Sequence, residues 1–338
     1  RDRRFIAETT YEMVRWWRLL TEISGLEFKD SKYSGETFWP LFAAWSTINE
    51  DEVPPWGEFE SINPEKILLR LKEVKSIRKI RESIPDWLDE LGEKELGEKW
   101  EQELHSLNEE AKVVLRTNTL KITRDDLRKK LSLQNVETDT VEFSPDALVL
   151  KKRQNVFYLP EFKEGFFEIQ DAASQLVAHY LKVEPGMRVI DACAGGGGKT
   201  LHISALMKNK GKIIAMDNEQ WKMDELKRRA RRAGASNIET KWIDSNKIIK
   251  RLHNTADRLL LDVPCSGMGV LKRNPDAKWK LSLDFIERVK NQQTEILQNY
   301  SSMVKQGGIL VYATCSIFSS ENEHQIEKFL QKQEGHFE

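Results

Sequence analysis

Two cysteines stand in settings where a thiol could do chemistry. Cys265 lies in Asp262-Val263-Pro264-Cys265-Ser266-Gly267 and Cys315 in Thr314-Cys315-Ser316, and both segments close apolar runs, RLLLDVP and GILVYAT. A thiol of ordinary pKa, about 8.5, is only a few per cent thiolate near neutrality, so a nucleophilic cysteine needs activation by charge or backbone dipoles. Either residue alone reads as a small buried hydrophobe. The pair reads differently, because the two runs would form neighbouring parallel strands and turn both thiols to one cleft.

The third cysteine begins another feature, Cys193-Ala194-Gly195-Gly196-Gly197-Gly198-Lys199, directly after Asp191 and the run MRVIDAC. Four glycines between a strand and a helix let a ligand approach the backbone closely. This is not a phosphate loop of the GxxxxGKS/T type, because Cys193 occupies the position where that pattern needs its first glycine. Acids end the other runs: KIIAMD closes on Asp217, IETKWID on Asp244, and RLLLDVP carries Asp262. Asp217 sits where an acidic side chain commonly accepts hydrogen bonds from ribose hydroxyls, and Asp244 suits an adenine amino group. These acids and the glycine loop point to an adenosine-containing cofactor.

Such residues need strands to position them. Between 187 and 314 the five apolar runs alternate with helical or loop segments, which predicts a doubly wound α/β sheet with its ligands at the carboxyl ends of the strands. A small α/β module is expected over 111–170. In it VVLRTNTL forms a strand, Thr123 caps a helix through DDLRKKLSL, and VETDTVEF and ALVLKK pair as a hairpin around Ser144-Pro145-Asp146. Asp171 is placed to cap the helix that leads into the catalytic domain, 171–338. Residues 1–110 read as a helical domain, since Phe5, Ile6, Tyr11, Val14, Trp17 and Leu20 recur at helical spacing and further helical stretches lie near 35–48, 64–83 and 86–111. Trp16, Trp17, Trp39, Trp45, Trp56 and Trp87 are expected in its core rather than on an RNA platform.

The formal charge of -1 hides an asymmetry: residues 1–110 hold 16 basic and 25 acidic side chains, so the remainder is net basic. A nucleic acid is therefore sought on the second part. Its densest basic run, Lys227-Arg228-Arg229-Ala230-Arg231-Arg232, reads as a solvated helix face, whereas Lys272, Arg273 and Lys278 flank the Cys265 segment and are the better RNA candidates. Three cysteines in 338 residues cannot form a disulfide framework. The expected setting is a reducing cytoplasm, with no membrane-spanning run and no signal peptide. The first residue is Arg1, so the natural amino terminus is expected to lie upstream.

The combination DACAGGGGKT, DVPCSGMGVLKRNPDAKW and YATCSIFSSENE resembles the Sun/Fmu-type RNA cytosine-C5 methyltransferases over roughly 111–338, and the acidic helical part resembles the NusB-like domain of the bacterial ribosomal RNA members. The resemblance implies a Rossmann-like class I S-adenosylmethionine-dependent methyltransferase sheet, preceded by a small α/β module and an all-helical domain. It also implies S-adenosyl-L-methionine as methyl donor, 5-methylcytosine in RNA as product, small-subunit ribosomal RNA as substrate, and no obligate protein partner. Cytosine carbon 5 is a poor nucleophile, so in this chemistry a thiolate adds to carbon 6 and turns the ring into an enamine able to accept the methyl group. By resemblance Cys315 is that nucleophile, Cys265 assists breakdown of the adduct, and Asp262 orients either the base or the methionyl group of the cofactor. The same match puts Cys193, Ala194, Gly195, Gly196, Gly197, Gly198 and Lys199, with Asp217, Asp244 and Asp262, around the cofactor, so that Cys193 is a loop residue and not a third catalytic thiol. Arg116 and Asn118 match the family in a module that resembles an RNA-binding attachment.

Three departures stand out. Gly195-Gly196 replaces the usual Ala-Pro and raises the entropy lost on ordering the loop; Lys222 stands where arginine is common; and the sequence stops at Gly335-His336-Phe337-Glu338, so the closing strands of the family sheet are expected beyond it. Two rivals make other predictions. A DNA cytosine-C5 methyltransferase would use Cys265 as nucleophile and would not require Cys315, and a noncatalytic RNA-binding or assembly factor would need neither thiol.

Overall fold

The computed structural model describes residues 2–28, 35–245, 247–333 and 335–337. The chain forms two compact units: residues 1–110 with 266–286 and 315–320 make one, and residues 111–265, 287–314 and 321–338 make the other.

The first unit is built on helices, among them Asp2–Arg15, Trp17–Ser24, Phe38–Ile48, Pro64–Val74, Asp86–Leu96 and Trp100–Asn108. Local sequence sets their ends. Asn63 accepts from the amides of Glu65 and Lys66, at 2.8 and 3.2 Å, and Pro64 fills the first helical position where no N–H is needed. One apolar cluster gathers Leu19, Leu20, Ile23, Leu41, Ala44, Ile67 and Ile80, with Trp16, Trp17 and Trp45 packed against it. Trp87 packs on a second cluster. Trp56 departs from the core expectation: it is 55% exposed, resting edge-on against Trp39 and close to Phe59.

That second cluster explains why two distant segments join the helices. Met268, Leu271, Ile286 and Phe318 are buried with Ile84, Leu88, Trp100, Leu104 and Leu107. Full burial of such a side chain contributes about 1.5–3 kcal/mol, so four of them hold the segments firmly to the helices.

The second unit contains two sheets. In the first, β1 (Val114–Thr117), β2 (Thr138–Val141), β3 (Ser144–Leu150) and β4 (Phe167–Ile169) pair antiparallel in the order β2-β3-β1-β4. The helix Arg124–Leu133 starts where expected, with Thr123 Oγ1 accepting from the Asp126 amide at 3.2 Å. The hairpin turn differs from expectation. It falls at Glu142–Phe143, and Ser144, Pro145 and Asp146 already belong to β3. Pro145 is tolerated there because it precedes Ala147, where pairing with β1 begins, and lies beside the register shift in β2.

The second sheet is parallel, with β5 (Arg188–Asp191), β6 (Lys212–Asp217), β7 (Ile238–Trp242), β8 (Ala256–Asp262) and β9 (Val304–Ala313) in the order β7-β6-β5-β8-β9. Successive side chains leave opposite faces, and both faces are covered. Ile190, Ile214, Leu259 and Leu261 enter one core with Leu297 and Phe329. Val189, Ile213 and Leu260 enter the other with Ala178 and Ile203.

Candidate active site

Strand order makes β5 the switch point of the sheet, since later strands add to one side and then to the other, and ligands of open α/β sheets bind at that place. Register then shapes a crevice. Asp191, the last residue of β5, pairs with Ala215 of β6 and Leu260 of β8, so both neighbours run past it, ending at Asp217 and Asp262. The glycine loop leaves β5 between these two acids.

Both acids hold the loop. Asp217 accepts from the Gly195 amide at 2.9 Å and from the Glu219 amide at 3.0 Å, with Lys222 Nζ at 3.7 Å. Lys199 Nζ lies 2.6 Å from Asp262 Oδ2. The Gly196 carbonyl accepts from Arg229 Nη1 at 2.7 Å, the Gly198 carbonyl accepts from Arg116, and the buried Ala194 donates its amide to Met216 at 2.8 Å. Glycine is required at two points: Gly195 has φ +53° and Gly197 φ +84°, in the left-handed region. A side chain at Gly197 would also meet Leu226 Cγ at 2.5 Å, whereas a Cβ at Gly195 would meet no described residue beyond its chain neighbours within 4 Å. The loop thus has a packed back and an open front.

Burial, reinforced by the acids of the crevice, keeps Cys193 a thiol. Burial pushes its pKa up, and Asp191, Asp262 and Asp217 push it further. Asp191 is itself buried and raised to about 7 by desolvation, although the Thr200 hydroxyl donates to it at 2.7 Å. Asp244 lies just past β7, whose last strand residue is Trp242, and is exposed, with the Ser245 hydroxyl donating to it at 2.9 Å.

Cys265 and Cys315 follow adjacent strands. Asp262 of β8 pairs with Ala313 of β9, and the cysteines come shortly after these paired residues. The residue before each is anchored within the second unit: Gln293 Nε2 donates to the Pro264 carbonyl at 2.9 Å, and the Thr314 hydroxyl lies 2.6 Å from Asn322 Oδ1. Beyond the strands the first unit takes over. Gly267 turns the chain at φ +76°, the Gly269 amide donates to the Cys315 carbonyl at 2.8 Å, and the hydroxyls of Ser266 and Ser316 are 3.2 Å apart. Cys315 is exposed and Cys265 half-buried, and both carry thiols.

Several sequence assignments change. Lys278 is 1% exposed: the short helix Ala277–Lys280 packs on the first unit, and Lys278 Nζ donates to Asn108 Oδ1 at 3.1 Å. Burial pulls its pKa down to about 7, so it is not a cation offered to RNA. Arg116 and Asn118 are likewise buried, where the antiparallel sheet meets the parallel one. Arg116 binds Gln170 and Gly198, and Asn118 Nδ2 donates to the carbonyls of Gly165 and Ala233, both at 2.8 Å. The basic run of helix Gln220–Ala233 serves the same joint: Arg229 and Arg232 pair with Glu168, while Lys227 and Arg228 pair with acids one turn back.

A further cluster at this joint leaves no signal in the sequence. His179 Nε2 and His202 Nε2 lie 3.1 and 2.8 Å from the same Asp146 oxygen. Burial alone would raise the Asp146 pKa, but the two imidazoles outweigh it and hold the carboxyl well below the usual range. Burial in turn lowers His202 to about 4. Strand periodicity gave Asp146 no reason to be buried, and its partners are distant in sequence.

A doubly wound parallel sheet in this strand order, with a glycine loop and flanking acids at its switch point, defines the class I S-adenosylmethionine-dependent methyltransferase fold. The family described as 16S rRNA methyltransferase RsmB/F matches residues 178–337, and the ferredoxin-like domain of RsmF/B-like methyltransferases matches residues 84–157. A Synechocystis sp. protein named "Probable ribosomal RNA small subunit methyltransferase B" is 38% identical over 255 residues, 75% of this chain and 57% of that protein. The solved structure of PH0851 superposes with a TM-score of 0.80 at 28% identity, covering 97% of this chain and 81% of that one. A Pyrococcus horikoshii methyltransferase homologue superposes with a TM-score of 0.67 at 29% identity, covering 75% and 81%. The chain belongs to the RsmB/F, or Sun, family of methyltransferases. It spans somewhat more than half the length of the curated relatives it matches. Among the described residues no helix is long and apolar enough to cross a membrane.

Proposed function

We propose that this chain methylates carbon 5 of cytosine in small-subunit ribosomal RNA, with S-adenosylmethionine as donor. The observation that carries the reading is the register pair Asp262 and Ala313, which sends Pro-Cys265 and Thr-Cys315 out from the same end of adjacent parallel strands. Family membership and the relatives' names support ribosomal RNA as the substrate.

The residues present fit the cofactor. The open front of Gly195 admits a ligand to the loop backbone, and Asp217 has lone pairs left for ribose hydroxyls after accepting two amides. Cys193 through Lys199, with Asp217, Asp244 and Asp262, would hold it. When bound, S-adenosylmethionine supplies an electrophilic methyl group for carbon 5.

The chain's own residues do the rest. The Cys315 thiolate adds to carbon 6, forming a sulfur–carbon bond and raising electron density at carbon 5. Asp262, steadied by Lys199, orients the base or the methionyl end of the cofactor. Cys265 then assists release: the carbon 5 proton leaves, the carbon 6–sulfur bond breaks, and its electron pair returns to Cys315. Stacked bases are closed to a thiol, so the target cytosine is unpaired or flipped out. Lys272 and Arg273, half-buried on the segment after Cys265, are the cations of that loop nearest in sequence to this chemistry.

Incubating the protein with labelled S-adenosylmethionine and separated small-subunit, large-subunit and transfer RNA tests the assignment. Label in small-subunit RNA as 5-methylcytosine is expected. Faster labelling of duplex DNA, or no transfer to any nucleic acid, would refute it.

A further inference from the structure

The two segments that follow the cysteines are held by residues of the helical unit through backbone contacts that carry no RNA chemistry. Arg15 Nη2 donates to the Lys272 carbonyl at 3.0 Å, and the Tyr11 hydroxyl reaches the carbonyls of Lys272 and Arg273. From the other direction Trp279 Nε1 donates to the Val14 carbonyl at 2.7 Å. The segment after Cys315 is caught separately, where the Ser320 amide donates to Glu95 Oε2 at 3.0 Å. Between these anchors the Gly269 amide holds the Cys315 carbonyl at 2.8 Å, so a shift in either segment moves the backbone of Cys315 itself.

These groups are costly to place by chance. Arg15 is 1% exposed, and burying a guanidinium is costly unless it is paired and hydrogen-bonded; its Nε lies 3.3 Å from Glu12. Here one donor is spent on a loop carbonyl more than two hundred residues away in sequence. Tyr11 and Arg15 occupy the end of one helix, Asp2–Arg15, and Glu95 lies on another, Asp86–Leu96, so two rigid elements clamp two loops.

We propose that Glu95, Tyr11 and Arg15 are positioning residues for the methyl-transfer reaction: through Ser320, Lys272 and Arg273 they fix Cys315 where it attacks the base. The proposal rests on the reading of Cys315 as the nucleophile. It gives the helical unit a part in the chemical step that requires no contact with RNA.

Glu95 is only partly buried, so Glu95→Ala should fold, and Glu95→Gln keeps an oxygen for the Ser320 amide. A misplacement near 1 Å at a reacting group costs about 100-fold in rate. Single-turnover methylation by Glu95→Ala and Tyr11→Phe should fall about 10- to 100-fold, with KM for RNA and the calorimetric Kd for S-adenosylmethionine unchanged and with Glu95→Gln restoring most of the rate. Wild-type rates in both variants, or a raised KM for RNA at unchanged kcat, would overturn the positioning role. Cys315→Ala is assayed beside them: if it remains active, the nucleophile reading itself fails, and if it is inactive while Glu95→Ala and Tyr11→Phe keep full rate, only the positioning role fails.

Discussion

Lys199 Nζ lies 2.6 Å from Asp262 Oδ2, which ties the helix after the glycine loop by charge to the strand that leads to Cys265. Both side chains are mostly shielded from water, and a hydrogen bond to a charged group contributes about 1.5–3 kcal/mol. Lys199→Met should therefore lower kcat/KM for methylation by about 10- to 100-fold and also lower the unfolding midpoint. An unchanged kcat/KM would mean that Asp262 does not depend on this partner.

Asp217 joins the loop to β6 by accepting two backbone amides. Asp217→Ala should weaken S-adenosylmethionine binding by about 1–3 kcal/mol, the range for losing such an acceptor at a buried site. Titration calorimetry measures this directly, and wild-type affinity would remove Asp217 from the ribose position.

Gly269 tests the loop geometry from inside. A Cβ there would lie 2.7 Å from the Cys315 carbonyl oxygen, a backbone atom that cannot swing aside. Gly269→Ala should slow single-turnover methylation about 100-fold while leaving cofactor affinity unchanged. A full-rate Gly269→Ala enzyme would show that the Cys315 backbone tolerates displacement.

Lys278 predicts a pH dependence of stability. Its folded pKa is pulled by burial from 10.5 to about 7, so between those values the unfolded chain binds the additional proton and stability rises with pH. Below pH 7 both states are protonated and the slope from this group vanishes. Urea unfolding at intervals from pH 7 to 10 should show a rising contribution of at most about 1.4 kcal/mol per pH unit, absent in Lys278→Met. A slope identical in the two proteins would contradict the buried, neutral lysine.

Much of the sheet could be read from the sequence because each strand is a short apolar run closed by an acid or a cysteine, and residues at strand ends gather wherever the strands are parallel. Asp191, Asp217 and Asp262 needed no long-range knowledge beyond that rule. What could not be read was which charged groups were already committed. Arg229 and Arg232 read along the chain as part of a solvated helix face, yet Glu168, 61 and 64 positions earlier, takes both. Lys278 looks like a cation beside the reactive loop, but its neighbour Trp279 is pinned to Val14 and carries it into the helical unit. Pro145 looks like a turn residue and is a strand residue, because it precedes the start of pairing with β1 and lies beside the register shift in β2, where a missing N–H is tolerated.

The thiols carry the central claim, and trapping of the covalent adduct separates them. Wild type, Cys265→Ala and Cys315→Ala are each incubated with target RNA and S-adenosylmethionine and run on denaturing gels. If Cys315 attacks carbon 6 and Cys265 serves only release, Cys265→Ala accumulates a protein–RNA species that survives denaturation and disappears when Cys315 is also replaced, while Cys315→Ala forms neither adduct nor 5-methylcytosine. An adduct trapped in Cys315→Ala and absent from Cys265→Ala would contradict this and make the Pro-Cys thiol the nucleophile.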